Sequence, residues 1–181
     1  MTAAVLNGAH HAPMDTILAD LFHHHRWANR QMLEACLPLT GAQLAMAVNG
    51  TYGRLDDTLL HLAGAESRYV EALAGWTPTG GPAINERSPF PGVARVLAQL
   101  DATGDALIEI ALALPADRML SDDDGSTIPA WVVLLQAAYH GTEHRQQIAT
   151  ALTTLGIEPP EPDLWTFSEA IDRGEAQAEP A

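Results

Sequence analysis

Four long segments of the chain repeat their apolar residues with the 3.6-residue period of an α-helix, and proline and glycine separate these segments. Helices of this length bury an apolar stripe by packing against one another, so the pattern predicts an all-α four-helix bundle. Alanine has the highest helix propensity and is abundant, which favours the same fold. The predicted helices span residues 15–36, 55–75, 91–114 and 128–155.

Local signals set the ends of the fourth helix, and the length of another connection bears on the order of the helices. Ser126 and Thr127 are suited to cap its N-terminus, Pro129 fits its first turn, and Gly156 ends it. The link at residues 75–92, between the second and third helices, is too long for a tight turn. It can cross one end of the bundle, so that two neighbouring helices run parallel.

The remainder of the chain indicates one domain. A short C-terminal helix is predicted at residues 165–173, after a proline-rich stretch. We assign residues 1–175 to a single domain and residues 176–181 to a disordered tail.

Charge and apolar runs exclude several classes of protein. The formal net charge is −14, and all nine basic residues are arginine. Such an acidic chain repels phosphate backbones and anionic membranes, so we expect no nucleic acid and no membrane among its partners. No apolar run approaches the roughly 20 residues of a membrane span, and the N-terminus lacks the pattern of a signal peptide. The single cysteine, Cys36, cannot form an internal disulfide, so a cytoplasmic location is expected.

Two histidines lie on the predicted core-facing stripe of the fourth helix. His140 and His144 are one turn apart, so their imidazoles can share one metal ion. A histidine that faces a core is more often satisfied by a hydrogen bond alone, and both interpretations stay open for this pair.

Three adjacent histidines in the first helix do not form a metal site by themselves. Consecutive helical residues point in different directions, so His25 faces the interior while His24 and His23 are rotated by about 100° and about 160° from it. The triplet therefore contributes at most His25 to an interior pocket or site.

His61 in the second helix is ambiguous from periodicity alone. It lies on a stripe of small residues rather than on the apolar face of its helix. Asp57, one turn earlier, can accept the second ring N–H of His61, as carboxylates beside metal ligands do. Asp57 is equally well explained as an acidic residue in a first helical turn, where the helix dipole favours it.

Two other motifs give weak catalytic signals. The sequence HGTEH at residues 140–144 matches the H-x-x-E-H pattern of inverted zinc peptidases, in which the glutamate is a general base. Too little chain follows to build that larger fold, and Glu143 faces the solvent side of the helix. Cys36 lies on an apolar stripe, where a thiol is usually inert.

Several segments together resemble the DinB family. They are LFHHHRWANRQMLEAC, GTYGRLDDTLLHLAGAESRYVEAL, PFPG and PAWVVLLQAAYHGTEHRQQIATALTTLGIEPP. The most specific parts are D-x-x-x-H in the second helix and H-x-x-x-H-R-x-Q in the fourth. The similarity covers nearly the whole chain in order.

The resemblance implies an up-down-down-up four-helix bundle and a divalent metal ion, zinc or nickel in many relatives. Its ligands would be His61, His140 and His144. Many relatives carry other residues where His25 stands, so His25 is not expected to be a required ligand. The resemblance also implies a homodimer and, in some relatives, a low-molecular-weight thiol cosubstrate.

These observations lead to one leading hypothesis and two alternatives. The chain would be a metal-dependent enzyme that activates a thiol or water nucleophile toward a small-molecule substrate, as a thiol S-transferase does. The alternatives are a metal-dependent hydrolase and a non-catalytic bundle that uses the metal for stability or binding. Glu66, Arg68 and Arg145 are candidates for orienting substrate or bracing the ligands, and they are equally well explained as salt bridges of the bundle. The sequence identifies no catalytic side chain.

Overall fold

The structure, a computed structural model, describes residues 14–75, 84–121 and 124–177. This part of the chain is mostly helical, with six helices and a small two-stranded sheet. None of the described helices is both long and apolar enough to cross a membrane. The elements in chain order are α1 (Met14–Cys36), α2 (Gly41–Leu44), α3 (Leu55–Ala74), α4 (Val93–Ala113), β1 (Met119–Ser121), β2 (Thr127–Pro129), α5 (Ala130–Thr154) and α6 (Leu164–Asp172).

The four long helices contact one another in a ring. α1 packs against α4 and α5, and α3 packs against the same two helices. Arg26 reinforces the contact between α1 and α4 at its surface, because its Nε lies 2.8 Å from Oδ1 of Asp105. Arg30 adds a second ion pair between the same helices, with Asp101. This packing fits the predicted helical bundle.

Two apolar clusters fill the space between the helices. The first cluster takes buried residues from the C-terminal halves of α1 and α5 and from the N-terminal halves of α3 and α4. The second cluster takes buried residues from the other half of each of these helices. The largest buried side chains of the two clusters are Met32, Leu33, Leu55, Leu59, Leu62, Leu100, Ile148 and Leu152 in the first, and Phe22, Leu73, Leu107 and Leu134 in the second.

A buried polar layer separates the two apolar clusters. We use this name for five side chains, each at most 5% exposed. They come from all four long helices: His25 and Asn29 from α1, Glu66 from α3, Thr103 from α4 and Arg145 from α5. Because unpaired polar groups are costly in a core, these residues must find partners among themselves.

The N-terminus of the fourth long helix differs from the prediction. α5 begins at Ala130 rather than at residue 128, and Thr127 and Pro129 belong to β2 instead of the cap and the first turn. Ile128 pairs with Leu120 of β1 in an antiparallel hairpin, since β-branched residues favour strands. The other long helices begin and end close to their predicted positions, whereas α2 and the hairpin were not predicted.

The short C-terminal helix is present and packs on α1. α6 spans Leu164–Asp172, and the side chain of Asp163 caps it by accepting the backbone N–H of Thr166 at 2.8 Å. The ring of Phe167 lies 5.3 Å from that of Trp27, measured between centroids. Trp27, which faces away from the core of α1, is thus covered by a later segment of the chain. The predictions for residues 1–13 and 178–181 fall outside the described ranges.

Replacing Leu107 by alanine should destabilise the second apolar cluster. Leu107 is 0% exposed, so its truncation leaves a cavity and should lower the free energy of unfolding by about 2–5 kcal/mol. Urea denaturation measures this change. Leu112→Ala on the same helix is the control, because Leu112 is 42% exposed and its loss should cost about 0.5 kcal/mol or less. Equal effects of the two substitutions would contradict the burial assigned to α4.

Candidate metal centre

Three histidines converge between α3 and α5. His61 comes from α3, and His140 and His144 come from successive turns of α5. One ring nitrogen from each lies within 4.8 Å of those of the other two. Nε2 of His140 lies 3.1 Å from Nε2 of His61 and 3.0 Å from Nε2 of His144. These three residues are the sequence-predicted ligand set, and together they form a cluster that can hold a metal ion.

Aromatic rings pack around the histidine cluster. Tyr52, just before α3, stacks on His61 with a centroid distance of 4.0 Å and an angle of 16° between the rings. Tyr69 meets His140 edge to face at 5.8 Å. These contacts restrict the rotation of the imidazoles, so the rings are held in position by packing as well as by hydrogen bonds.

The other ring nitrogens of two histidines face oxygen acceptors. Nδ1 of His61 lies 3.0 Å from Oε1 of Glu86, and Nδ1 of His144 lies 3.0 Å from Oε1 of Gln147. Oε1 of Gln147 also accepts the backbone N–H of Tyr52 at 2.9 Å, which fixes the orientation of its amide. Because a ring nitrogen must donate to such an oxygen, we assign the protons of His61 and His144 to Nδ1. Their Nε2 atoms then carry lone pairs.

The electrostatics of the cluster favour neutral rings. Burial, together with the neighbouring His144 and His61, lowers the pKa of His140 to about 4. Burial also lowers the pKa of His144, again with a contribution from His61. At pH 7 both rings are neutral, which is the state that binds metal ions.

This donor set fits a divalent transition metal. With Nδ1 protonated on His61 and His144, the facing Nε2 atoms present lone pairs to one another, and a cation among them removes the repulsion. Two imidazole nitrogens on one tetrahedral zinc ion are about 3.4 Å apart, close to the observed separations. Imidazole ligands suit zinc and nickel, among other metals.

Asp57 does not contact the ring nitrogen for which the sequence suggested it. Glu86, from the link between α3 and α4, occupies that position. Asp57 instead lines a cavity of about 310 Å³ together with Tyr52, Leu60 and Glu86. Its carboxylate lies 4.0 Å from Nε of Arg54.

His25, Glu66 and Arg145 belong to the polar layer rather than to the histidine cluster. Nε2 of His25 lies 2.8 Å from Oε2 of Glu66, and Nδ2 of Asn29 donates to the same oxygen at 3.1 Å. The hydroxyl of Thr103 donates to the other oxygen, Oε1. Every oxygen of this buried carboxylate thus has a donor, and the donors come from α1 and α4.

Arg145 supplies the positive charge of the polar layer. Its Nη1 donates to Oδ1 of Asn29 at 2.7 Å and lies 3.2 Å from Nδ1 of His25. Arginine only donates, so Nδ1 of His25 accepts and its Nε2 carries the proton that faces Glu66. Burial lowers the pKa of Arg145 to about 10, with the charge of Glu66 acting in the opposite direction. Arg145 therefore stays cationic at pH 7 and balances the carboxylate.

Gly141 makes room for this arrangement. A Cβ at this position would lie 2.3 Å from Cε1 of His25, closer than real contacts allow. The absence of a side chain on α5 thus lets the ring of His25 lie against that helix and reach Arg145.

The remaining candidates have other roles. Nε2 of His24 lies 2.9 Å from the backbone oxygen of Pro162, and its ring packs on Phe167 at 5.4 Å, so it faces the C-terminal segment instead of water. His23 is half-buried on α1. Glu143 is exposed, as expected. Cys36 is buried, and burial raises the pKa of its thiol to about 12.

The sequence reasoning gave no role to Glu86, Tyr52 or Gln147, although Gln147 is the last residue of the H-x-x-x-H-R-x-Q pattern. Gln147 follows His144 by three residues, a spacing at which helical side chains meet, so it was within reach of the sequence. Glu86 and Tyr52 lie in connections whose path depends on tertiary packing, and periodicity carries no signal for them.

These features define a class: a mostly helical protein with a three-histidine centre between two helices that can hold a metal ion. The chain belongs to the DinB family, whose pattern matches residues 14–176 and so covers nearly all of it. A search of curated proteins finds no match.

Replacing Arg145 by methionine should destabilise the protein through the polar layer. The change leaves Glu66, which is 2% exposed, without the cation that balances it through His25 and Asn29, and an uncompensated buried charge costs about 3–5 kcal/mol. Chemical denaturation of both proteins measures the loss. Arg30→Met is the control, since Arg30 is 39% exposed and its ion pairs should contribute about 0–1 kcal/mol. Similar losses for both would show that the layer is not electrostatically coupled.

Proposed function

We propose that the chain is a metal-dependent enzyme in which His61, His140 and His144 hold a divalent ion, zinc or nickel. The observation that carries this proposal is the convergence of three Nε2 atoms, two of which belong to rings whose Nδ1 atoms face other acceptors. Three protein ligands leave a coordination position open, which is typical of catalytic rather than structural sites.

The reaction we favour is the activation of a thiol or water nucleophile toward a small-molecule substrate, with a thiol S-transferase as the leading case. A bound divalent ion with an open position lowers the pKa of a thiol or water ligand, and this produces a nucleophile at neutral pH. Tyr52 and Glu86 keep His61 oriented, and Gln147 does the same for His144. These residues orient two of the three ligand rings without taking part in proton transfer.

The cavity beside His61 is the proposed substrate site. It measures about 310 Å³ and is lined by Tyr52, Asp57, Leu60 and Glu86. Tyr52 and Glu86 also contact the ring of His61, so a molecule in this cavity lies next to the ligand cluster. The two carboxylates in its lining favour a substrate whose nearest group is neutral or cationic.

We also propose the up-down-down-up order for the four long helices. The first apolar cluster takes the C-terminal halves of α1 and α5 and the N-terminal halves of α3 and α4, which supports two pairs of opposite direction. The ion pairs Arg26–Asp105 and Arg30–Asp101 support an antiparallel contact of α1 with α4. The homodimer and the cytoplasmic location stay predictions.

Replacing each ligand histidine by alanine should abolish metal binding. The purified wild type should contain close to one divalent ion per chain, whereas His61→Ala, His140→Ala and His144→Ala should contain little, because two ligands hold an ion weakly. Elemental analysis by inductively coupled plasma mass spectrometry gives the content. His23→Ala is the matched control and should keep the wild-type content. Full metal content in all three ligand variants would refute the site.

A cobalt-substituted protein should report whether a thiol enters the open position. Adding cysteine as a small thiol probe should produce a sulfur-to-cobalt charge-transfer band in the near ultraviolet, with no such band for serine. Consumption of an activated haloaromatic electrophile should then require both the thiol and the ion. Ester hydrolysis without any thiol would favour the hydrolase. A large fall in melting temperature on metal removal, with no thiol band and no reaction, would favour the non-catalytic bundle.

A further inference from the structure

We infer that Glu86 is a positioning residue of the metal centre, so that residues 84–86, in the described part of the link before α4, form part of that centre. The inference rests on the proposed function, because Glu86 acts on the metal ion through His61. Oε1 of Glu86 accepts the Nδ1–H of His61 at 3.0 Å.

Arg68 holds the carboxylate of Glu86 in place. Its Nη1 donates to Oε2 at 2.9 Å and its Nη2 donates to Oε1 at 2.8 Å, a two-point contact that fixes both the position and the plane of the group. Arg68 follows His61 by two helical turns on α3, so both lie on the same face. Glu86 is anionic at neutral pH, because the hydrogen bond from Arg68 lowers its pKa to about 2.

The backbone before Glu86 is anchored by buried groups. Ile84 is 5% exposed, and its N–H donates to Oε1 of Gln99 at 2.9 Å. Nε2 of Gln99 donates back to the Ile84 oxygen at 3.3 Å and to Oγ of Ser67 on α3 at 2.8 Å. Gln99 is itself 2% exposed, so α4 and α3 together hold the link at this point.

A glycine on α3 permits the close approach that this docking needs. A Cβ on Gly64 would lie 3.1 Å from Cα of Asn85 and 3.3 Å from Oε2 of Glu86. A side chain there would push the link outward. Because Gly64 has no side chain, Glu86 can come within hydrogen-bond distance of the His61 ring, which lies almost one helical turn before Gly64 on α3.

The hydrogen bond from His61 to a carboxylate has two effects on the ring. It fixes the tautomer that leaves Nε2 free, and it makes that nitrogen a stronger ligand. Gln147 fixes the tautomer of His144 in the same way but with a neutral amide oxygen. Losing a partner of this kind typically weakens metal binding 10-fold to 100-fold. Because binding effects are reciprocal, metal binding should also tighten the docking of the link.

The first test uses metal-free protein and nitrogen-15 NMR of the histidine rings. In the wild type His61 should show a protonated Nδ1 and an unprotonated Nε2. Glu86→Ala should shift His61 toward a mixture of tautomers, and Glu86→Gln should restore much of the preference, since an amide oxygen can accept the same proton. Glu71→Ala is the matched control, because it removes an exposed acid from α3 and should leave the spectrum of His61 unchanged. An unchanged tautomer in Glu86→Ala would overturn the inference.

The second test measures zinc affinity by competition with a chelator. Glu86→Ala should bind zinc 10-fold to 100-fold more weakly than wild type, Glu86→Gln should lie between them, and Glu71→Ala should match wild type. Equal affinities of Glu86→Ala and wild type would overturn the inference. If the wild type itself binds no zinc or nickel, the proposed function fails, whereas the tautomer result of the metal-free protein still decides the role of Glu86.

Discussion

The carboxylate of Glu66 is the constraint on which the rest of the structure depends. It is 2% exposed, and a buried charge costs several kcal/mol unless hydrogen bonds and an opposite charge surround it. α1 and α4 provide its donors, and Arg145 of α5 provides the cation through His25 and Asn29. A slip of any of these helices by one turn would remove a hydrogen-bond donor or the compensating charge from this layer. Apolar clusters alone tolerate such slips far better, so the polar layer specifies the register of the four helices.

The helix register that the polar layer specifies also determines the geometry of the histidine cluster. Arg145 follows His144 directly, so their side chains leave α5 about 100° apart. With Arg145 directed into the polar layer, His144 and His140 are turned toward α3. His61 lies five residues before Glu66 on α3, so the same layer also sets its height along the bundle. Two polar systems with different chemistry, the charge-balanced polar layer and the cluster of imidazoles, thus share α3 and α5.

Periodicity was sufficient for the long helices and for the inward direction of His25, because both follow from the 3.6-residue repeat alone. It failed where short-range pairing competes with helix formation, as at Ile128, whose partner Leu120 is not recognisable before the hairpin is known. Periodicity also could not identify the residues that contact His61. Asp57 was a reasonable partner by helical spacing, yet Glu86 reaches the ring from a link whose path depends on Ile84, Gln99 and Gly64.

The thiol of Cys36 has a consequence for the proposed chemistry. At a pKa of about 12, only a negligible fraction of it is ionised under physiological conditions, and it lies within the first apolar cluster. Thiolate, not thiol, attacks electrophiles, so the protein offers no reactive cysteine of its own. A catalyst that brings an external thiol to a reactive electrophile must survive many encounters with that electrophile. In the proposed reaction, keeping the single cysteine protonated and buried would protect its thiol from alkylation by the electrophile.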